Sequence, residues 1–338
     1  MSTGTVLELG TRYRTVDTET PPIPFDSGNT RSQELPNTFL YKNMMIRLSG
    51  TATNGGTGPT GSVNENPLGL IRRLDLIADG RKLLWSIAGR DAFRLSQIMN
   101  GKVGEFTAAA ATVSTTVPFA ASFVVHNEAK GLGRPIESYF DSRPFTKVEL
   151  RVQWGTVSDV WSTPQTTTIN AVTQLSIHLQ QSLEGVEQIA FNRLLMFDEQ
   201  ATATSGFGTL TFKVPRAGLL MAILLRTDAS LSPSNAILEG STVATFQLKS
   251  DNNFVHKDGL RFDTLRNRNV IELQLDTGAT GGANTGYYWI DLSEDGLFTS
   301  LLNTYDLNTL DLVLFNVAGA ASQIVHPTYV FFEPIGSA

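Results

Sequence analysis

Apolar side chains recur at every second position through much of this chain, the period of a strand with one face buried and one in water. Met44, Ile46 and Leu48 alternate with Met45, Arg47 and Ser49. Val148, Leu150, Val152 and Trp154 alternate with Lys147, Glu149, Arg151 and Gln153, and Leu175, Ile177 and Leu179 with Gln174, Ser176 and His178. In the second half the same rhythm places strands at Leu210–Val214, Ala244–Leu248, Ile271–Asp276 and Tyr288–Leu292. Leu219–Arg226 and Tyr329–Phe332 are continuous apolar strands. Asp79-Gly80, between the strands Leu68–Ala78 and Arg81–Ile87, predicts a tight hairpin. The period changes in three places. Ala92, Leu95, Ile98 and Met99 share one face of a helix over Arg90–Met99, with Gly101 placed to stop it. Val186, Ile189, Ala190, Arg193, Leu194 and Phe197 also fit a helix, and Asp295–Leu302 predicts a short one.

Two stretches echo each other without a gap, Phe140–Trp154 and Leu302–Asn316. Phe145 aligns with Leu307, Val148 with Leu310, Leu150 with Leu312 and Val152 with Leu314. Each reads as a short apolar segment, a polar turn and a strand. The second copy is apolar on both faces from Leu310 to Phe315, which predicts burial on both sides. Each half holds about seven or eight short strands, the complement of a jelly roll, whose eight antiparallel strands form two packed sheets. The expected architecture is all-β, two tandem jelly-roll β-sandwiches (a double jelly roll) with a few short helices and long loops. Residues 1–36, poor in large apolar side chains and containing Pro21-Pro22-Ile23-Pro24, read as an extended N-terminal arm; a strand at Val6–Leu9 attached to the main body is the competing reading. The first jelly roll is assigned to residues 37–182, a linker to 183–207 and the second jelly roll to 208–338.

At 338 residues the chain exceeds what one core usually serves, which agrees with two units. Charged residues are 17%, against about 25% in an ordinary soluble domain. A net charge of -6 offers no field for phosphates, so direct nucleic-acid binding is not expected. The absence of cysteine excludes disulfides and thiolate metal sites. Neither a signal peptide nor an apolar run of membrane-spanning length is evident, which suggests synthesis in the cytoplasm.

Candidate chemistry adds little. Gly55–Gly61 lacks the Lys-Ser/Thr of a phosphate loop and reads as a surface loop. His126, His178, His256 and His326 are scattered, Asp251-Asn-Asn253 starts like a calcium loop and then fails, and Asp291, Glu294 and Asp295 suit a helix N-terminus. No nucleophile motif is present, so no catalytic, cofactor or metal residues are assigned. A two-domain β-sandwich lectin or glycoside hydrolase is the alternative class, and Trp289 and Asp291 would then be its residues to test.

The architecture, the loops rich in glycine and threonine, the strand patterns of Asn66–Gly80 and Arg143–Gly155, and the second-half echo resemble the double jelly-roll major capsid proteins of tailless icosahedral viruses, a lineage of internal-membrane phages and the adenovirus hexon. The resemblance spans roughly residues 38–333. It implies a structural protein of the virion and not an enzyme: a homotrimer of pseudo-hexagonal outline, assembled in the host cytoplasm, that tiles a shell beside minor capsid or vertex proteins and over an internal lipid membrane in phage members. The arm would then lie below or between trimers. Its Arg12, Arg14 and Arg31 would suit anionic headgroups, or would pair with Asp17, Glu19 and Glu34.

Overall fold

The computed structural model describes residues 15–62, 65–100, 104–126, 139–182, 192–198, 201–202, 208–228, 245–251, 254–261, 264–265, 268–269, 271, 286–293, 301–315 and 324–334. The first sandwich is built from β1 (Thr15–Pro24), β2 (Thr30–Leu35), β3 (Leu40–Thr53), β4 (Ile71–Ala78), β5 (Lys82–Ile87), helix α1 (Gly89–Asn100), β6 (Thr116–His126), β7 (Val148–Trp154) and β8 (Gln174–Ser182). The second uses β9 (Asn192–Asp198), β10 (Thr209–Lys213), β11 (Leu219–Asp228), β12 (Thr245–Ser250), β13 (Phe254–Arg261), β14 (Tyr287–Asp291), β15 (Leu310–Phe315) and β16 (Ile324–Pro334). The first sandwich has sheets ordered β1-β8-β3-β6 and β2-β7-β4-β5; the second has β9-β16-β11-β14 and β10-β15-β12-β13. Each of these eight strands of the first unit therefore has a counterpart eight strands later, and both units have jelly-roll topology.

The echo noticed in the sequence is a structural repeat. Phe140–Asp141 pairs with Leu40 and Tyr41 at the start of β3, and Leu302–Asn303 pairs with Leu219 and Leu220 at the start of β11. A turn follows each, closed by Phe145 N to Ser142 O (3.2 Å) and by Leu307 N to Thr304 O (3.4 Å). The Ser142 hydroxyl donates to Phe39 O at 2.6 Å, and the Thr304 hydroxyl to Gly218 O at 2.7 Å. Both residues are fully buried, so each hydroxyl takes its partner from the facing backbone and not from water. Asp79 Oδ1 then accepts from Lys147 N (3.0 Å), as Asp251 Oδ1 accepts from Thr309 N (2.7 Å). The calcium-like start at Asp251 is thus one half of a paired capping device for β7 and β15.

The Asp79-Gly80 hairpin forms as predicted, with both residues at positive φ, 51° and 67°, and it joins β4 to β5 within one sheet. Helix α1 forms where expected. Several expectations change. Thr15–Pro24 and Thr30–Leu35 do not form a free arm: β1 pairs with β8 and β2 with β7, and Ile23 and Leu35 reach the core. Sheet hydrogen bonds hold these polar strands, which carry too few apolar residues to announce themselves. Residues 1–14, with Val6–Leu9, lie outside the described residues. In the presumed linker, Asn192–Asp198 is a strand and not a helix, because Leu194, Leu195 and Met196 are all buried between neighbours on either side; Val186, Ile189 and Ala190 lie outside the described residues. Asn66–Leu70 is a 3-10 turn with Pro67 at its start, so β4 begins at Ile71. Leu219–Asp228 forms as the expected strand and is the counterpart of β3. Of the strand expected from Ile271, only that residue is described, and it is exposed; Glu294 to Ser300 fall outside.

Candidate functional site

The two sandwiches meet edge to edge. β5 of the first and β9 of the second pair in parallel, Trp85 opposite Met196 and Ser86 opposite Phe197, which fuses β2-β7-β4-β5 and β9-β16-β11-β14 into one continuous sheet. Trp85 and Met196 are buried, and Trp85 Nε1 donates to Leu194 O at 3.1 Å. Lys82 and Glu333 form an ion pair at 2.9 Å across the same seam. One hydrophobic cluster runs through both units.

Helix α1 buries its polar side in this seam. Arg226 Nη1 of β11 donates to Asp91 Oδ1 at 2.6 Å, with the two side chains 6% and 1% exposed. Arg94 pairs with Glu65, Arg90 lies 3.9 Å from the same carboxylate, and the Tyr287 hydroxyl of β14 donates to Glu65 Oε2 at 2.9 Å. The Arg94 guanidinium also covers the Tyr287 ring at 5.3 Å and donates to Gln97. Burial, and then the Glu65 charge, raise the Tyr287 pKa well above that of an ordinary phenol. Burying such charges costs several kcal/mol each before pairing, so they fix one mutual orientation of the sandwiches better than they add stability. Sequence reasoning missed the cluster. Its signals were the Arg90-Asp91-x-x-Arg94 spacing on a helix and Arg226 at the end of an otherwise apolar strand.

The residues singled out for chemistry do not converge. Arg12 and Arg14 lie outside the described residues. Arg31 stands on β2 opposite Val152 and pairs with Asp26 at 2.8 Å, not with Asp17, Glu19 or Glu34. Asn29, and then Arg31, hold the Asp26 carboxyl below its usual pKa. His178 lies 3.4 Å from Asp17, His256 meets Ser250, and His326 is buried in β16. Among the described residues no group of three His, Asp or Glu side chains could hold a metal ion. All four tryptophans are buried, Trp289 included, so none offers a platform on a sheet face, and Asp291 accepts from the backbone and hydroxyl of Ser293 at a strand end. Among the described residues the exposed large apolar side chains are Met45, Phe106, Val113, Val172, Ile271 and Tyr305. Met45 projects from the outer face of β3 beside an Arg47–Glu105 ion pair.

These two sandwiches, of like topology and joined through one strand pair, define a double jelly roll. The fold is shared with major capsid proteins of viruses. The STIV major capsid protein is 14% identical, with a TM-score of 0.73 over 96% of this chain and 100% of that one. The major capsid protein P2 from bacteriophage PM2 is 14% identical, TM-score 0.59, over 96% and 99%. The Faustovirus major capsid protein is 8% identical, TM-score 0.60, over 95% and 90%. No family model and no curated protein matches the sequence.

Proposed function

We propose that the chain is the major capsid protein of a virion: a structural subunit that forms pseudo-hexagonal homotrimers and, through contacts between trimers, an icosahedral shell. The observation that carries this reading is the joining of two equivalent sandwiches in one chain, six of which would surround the axis of a trimer. Its double jelly roll matches capsid subunits over nearly the whole length of both chains. Low charge suits broad side contacts whose desolvation cost must stay small, and many weak contacts per subunit add up in a closed lattice.

Residues 1–14, with Arg12 and Arg14, would act below or between trimers, against minor proteins or the anionic headgroups of an internal membrane, with Arg31 on β2 as a further candidate for such contacts. Assembly would occur in the host cytoplasm. Electron microscopy of the purified protein tests the main reading: threefold blocks of hexagonal outline are expected, and a dispersed monomer contradicts it. Because β1 starts at Thr15, deletion of residues 2–14 is the arm test. Trimers should persist while shell formation and retention on vesicles rich in phosphatidylserine fall; unchanged assembly and vesicle binding would remove the arm from both roles.

A further inference from the structure

Within one chain the seam shows how these sandwiches join: β5 of one unit adds in parallel to β9 of the next. The counterparts of those strands are β13 and β1. Each ends its sheet, with no described strand on its outer side. Among the described residues, one open edge of each kind remains per chain.

The registers say which residues correspond. β3 and β11 carry the same irregularity at the same place. Tyr41 and Asn43 oppose Gln181 and Gln180, skipping Lys42; Leu220 and Ala222 oppose Phe331 and Val330, skipping Met221. Gln180 therefore corresponds to Val330. Asp17, opposite Gln180, corresponds to Met196, opposite Val330. On the other strand pair, Leu76 opposes both Leu150 and Trp85, while Leu248 opposes both Leu312 and Lys257. Both ladders also shift at the next residue, Ile77 and Lys249. Trp85 thus corresponds to Lys257, and Ser86 to Asp258.

We propose that β13 of one chain adds in parallel to β1 of a second copy, with Lys257 opposite Asp17 and Asp258 opposite Thr18. The proposal rests on the trimer reading and says how that trimer closes. The central pair changes character in a way that fits. Trp85 and Met196 never face water once the chain has folded, whereas a strand edge awaiting a partner must stay soluble, and it carries opposite charges instead. The Asp17 side chain is 59% exposed. Pro21 and Pro22 supply no backbone donor and coincide with a register shift in β1, which confines the new ladder to the Val16–Glu19 end. A contact between two different edges is heterologous, and it forms a closed ring when the rotation between copies allows.

The chain has no cysteine, so engineered pairs report cleanly. Directly opposed residues on neighbouring strands lie about 5 Å apart, within disulfide reach, and a two-residue offset takes them out of it. The full-length variant Asp17→Cys with Lys257→Cys, oxidised, should give covalent dimers and trimers on a non-reducing gel, while Asp17→Cys with Val255→Cys should give few. As a second route, Asp17→Lys or Lys257→Asp alone should weaken trimerisation by roughly tenfold or more, and the two together should restore it. An unaltered chain that is trimeric, with neither cross-linking nor charge-swap rescue, overturns the edge pairing and leaves the trimer standing. An unaltered chain that stays monomeric overturns both.

Discussion

The two sandwiches share a skeleton down to single hydrogen bonds, yet they differ in what covers them. In the first, β7 presents Lys147, Glu149 and Arg151, linked by ion pairs of 2.8 Å. At the matching places β15 has Thr309, Asp311 and Val313, and Lys249 lies over the Phe315 ring at 5.7 Å. In the second sandwich β11 and β16 are buried on both faces, from Leu220 to Leu225 and from Tyr329 to Phe332. The jelly roll fixes turns, caps and bulges; the position of each unit in the chain decides which faces are dry. That division suits a subunit whose halves resemble one another from a distance but meet different neighbours.

The largest expected effect lies between the halves. Asp91→Ala or Arg226→Ala removes one partner of a buried ion pair and should cost about 3–5 kcal/mol in chemical denaturation, while Asp91→Leu with Arg226→Met should recover much of it. A small effect for the single changes would show that the cluster does not hold the seam. Within the repeat, Phe140→Ala removes a ring that is 2% exposed and packed on Tyr41 at 5.3 Å, and it should cost about 3–5 kcal/mol. Leu302→Ala, at a half-buried site, should cost clearly less, as thermal melts would show. Ser142→Ala and Thr304→Val each remove a hydroxyl bonded to the backbone, at Phe39 O and at Gly218, and should each cost about 1–2 kcal/mol; similar values would support their equivalence. Arg151→Ala, whose side chain is 40% exposed and whose partner Glu149 keeps Lys147, should cost about 1 kcal/mol.

Acid should act on both halves through different carboxylates. The backbone N–H groups of Asn308 and Thr309 lower the Asp251 pKa, and hydrogen bonds from Lys147 and Arg151 lower that of Glu149. A carboxyl depressed in the folded state contributes fully above its unfolded value, about 3.9 for Asp and 4.3 for Glu, and loses that contribution as pH falls through the folded value. Asp251→Asn or Glu149→Gln should therefore lower stability at neutral pH and flatten the acid limb of the stability profile. A limb unchanged in both variants would remove these groups from acid unfolding.

Much of the fold was legible because β3, β7 and β8 alternate apolar with polar side chains and bury the apolar face, and because Asp79-Gly80 can hardly be anything but a hairpin. β1 and β2 were not, since edge strands rich in Thr, Glu and Pro look like a solvated arm; their backbone pairing, not their side chains, places them. β9 was misread because Leu194 and Phe197 keep helical spacing, while burial of Leu194, Leu195 and Met196 together marks a strand inside a wide sheet. The seam cluster escaped for a related reason. Arg90, Asp91 and Arg94 look like the wet face of a helix until a second unit is laid over it.

Native mass spectrometry of the full-length chain, over a range of concentration and salt, tests the proposed role most directly. A species of three chain masses is expected, with larger assemblies as concentration rises. A monomer under every condition would contradict it.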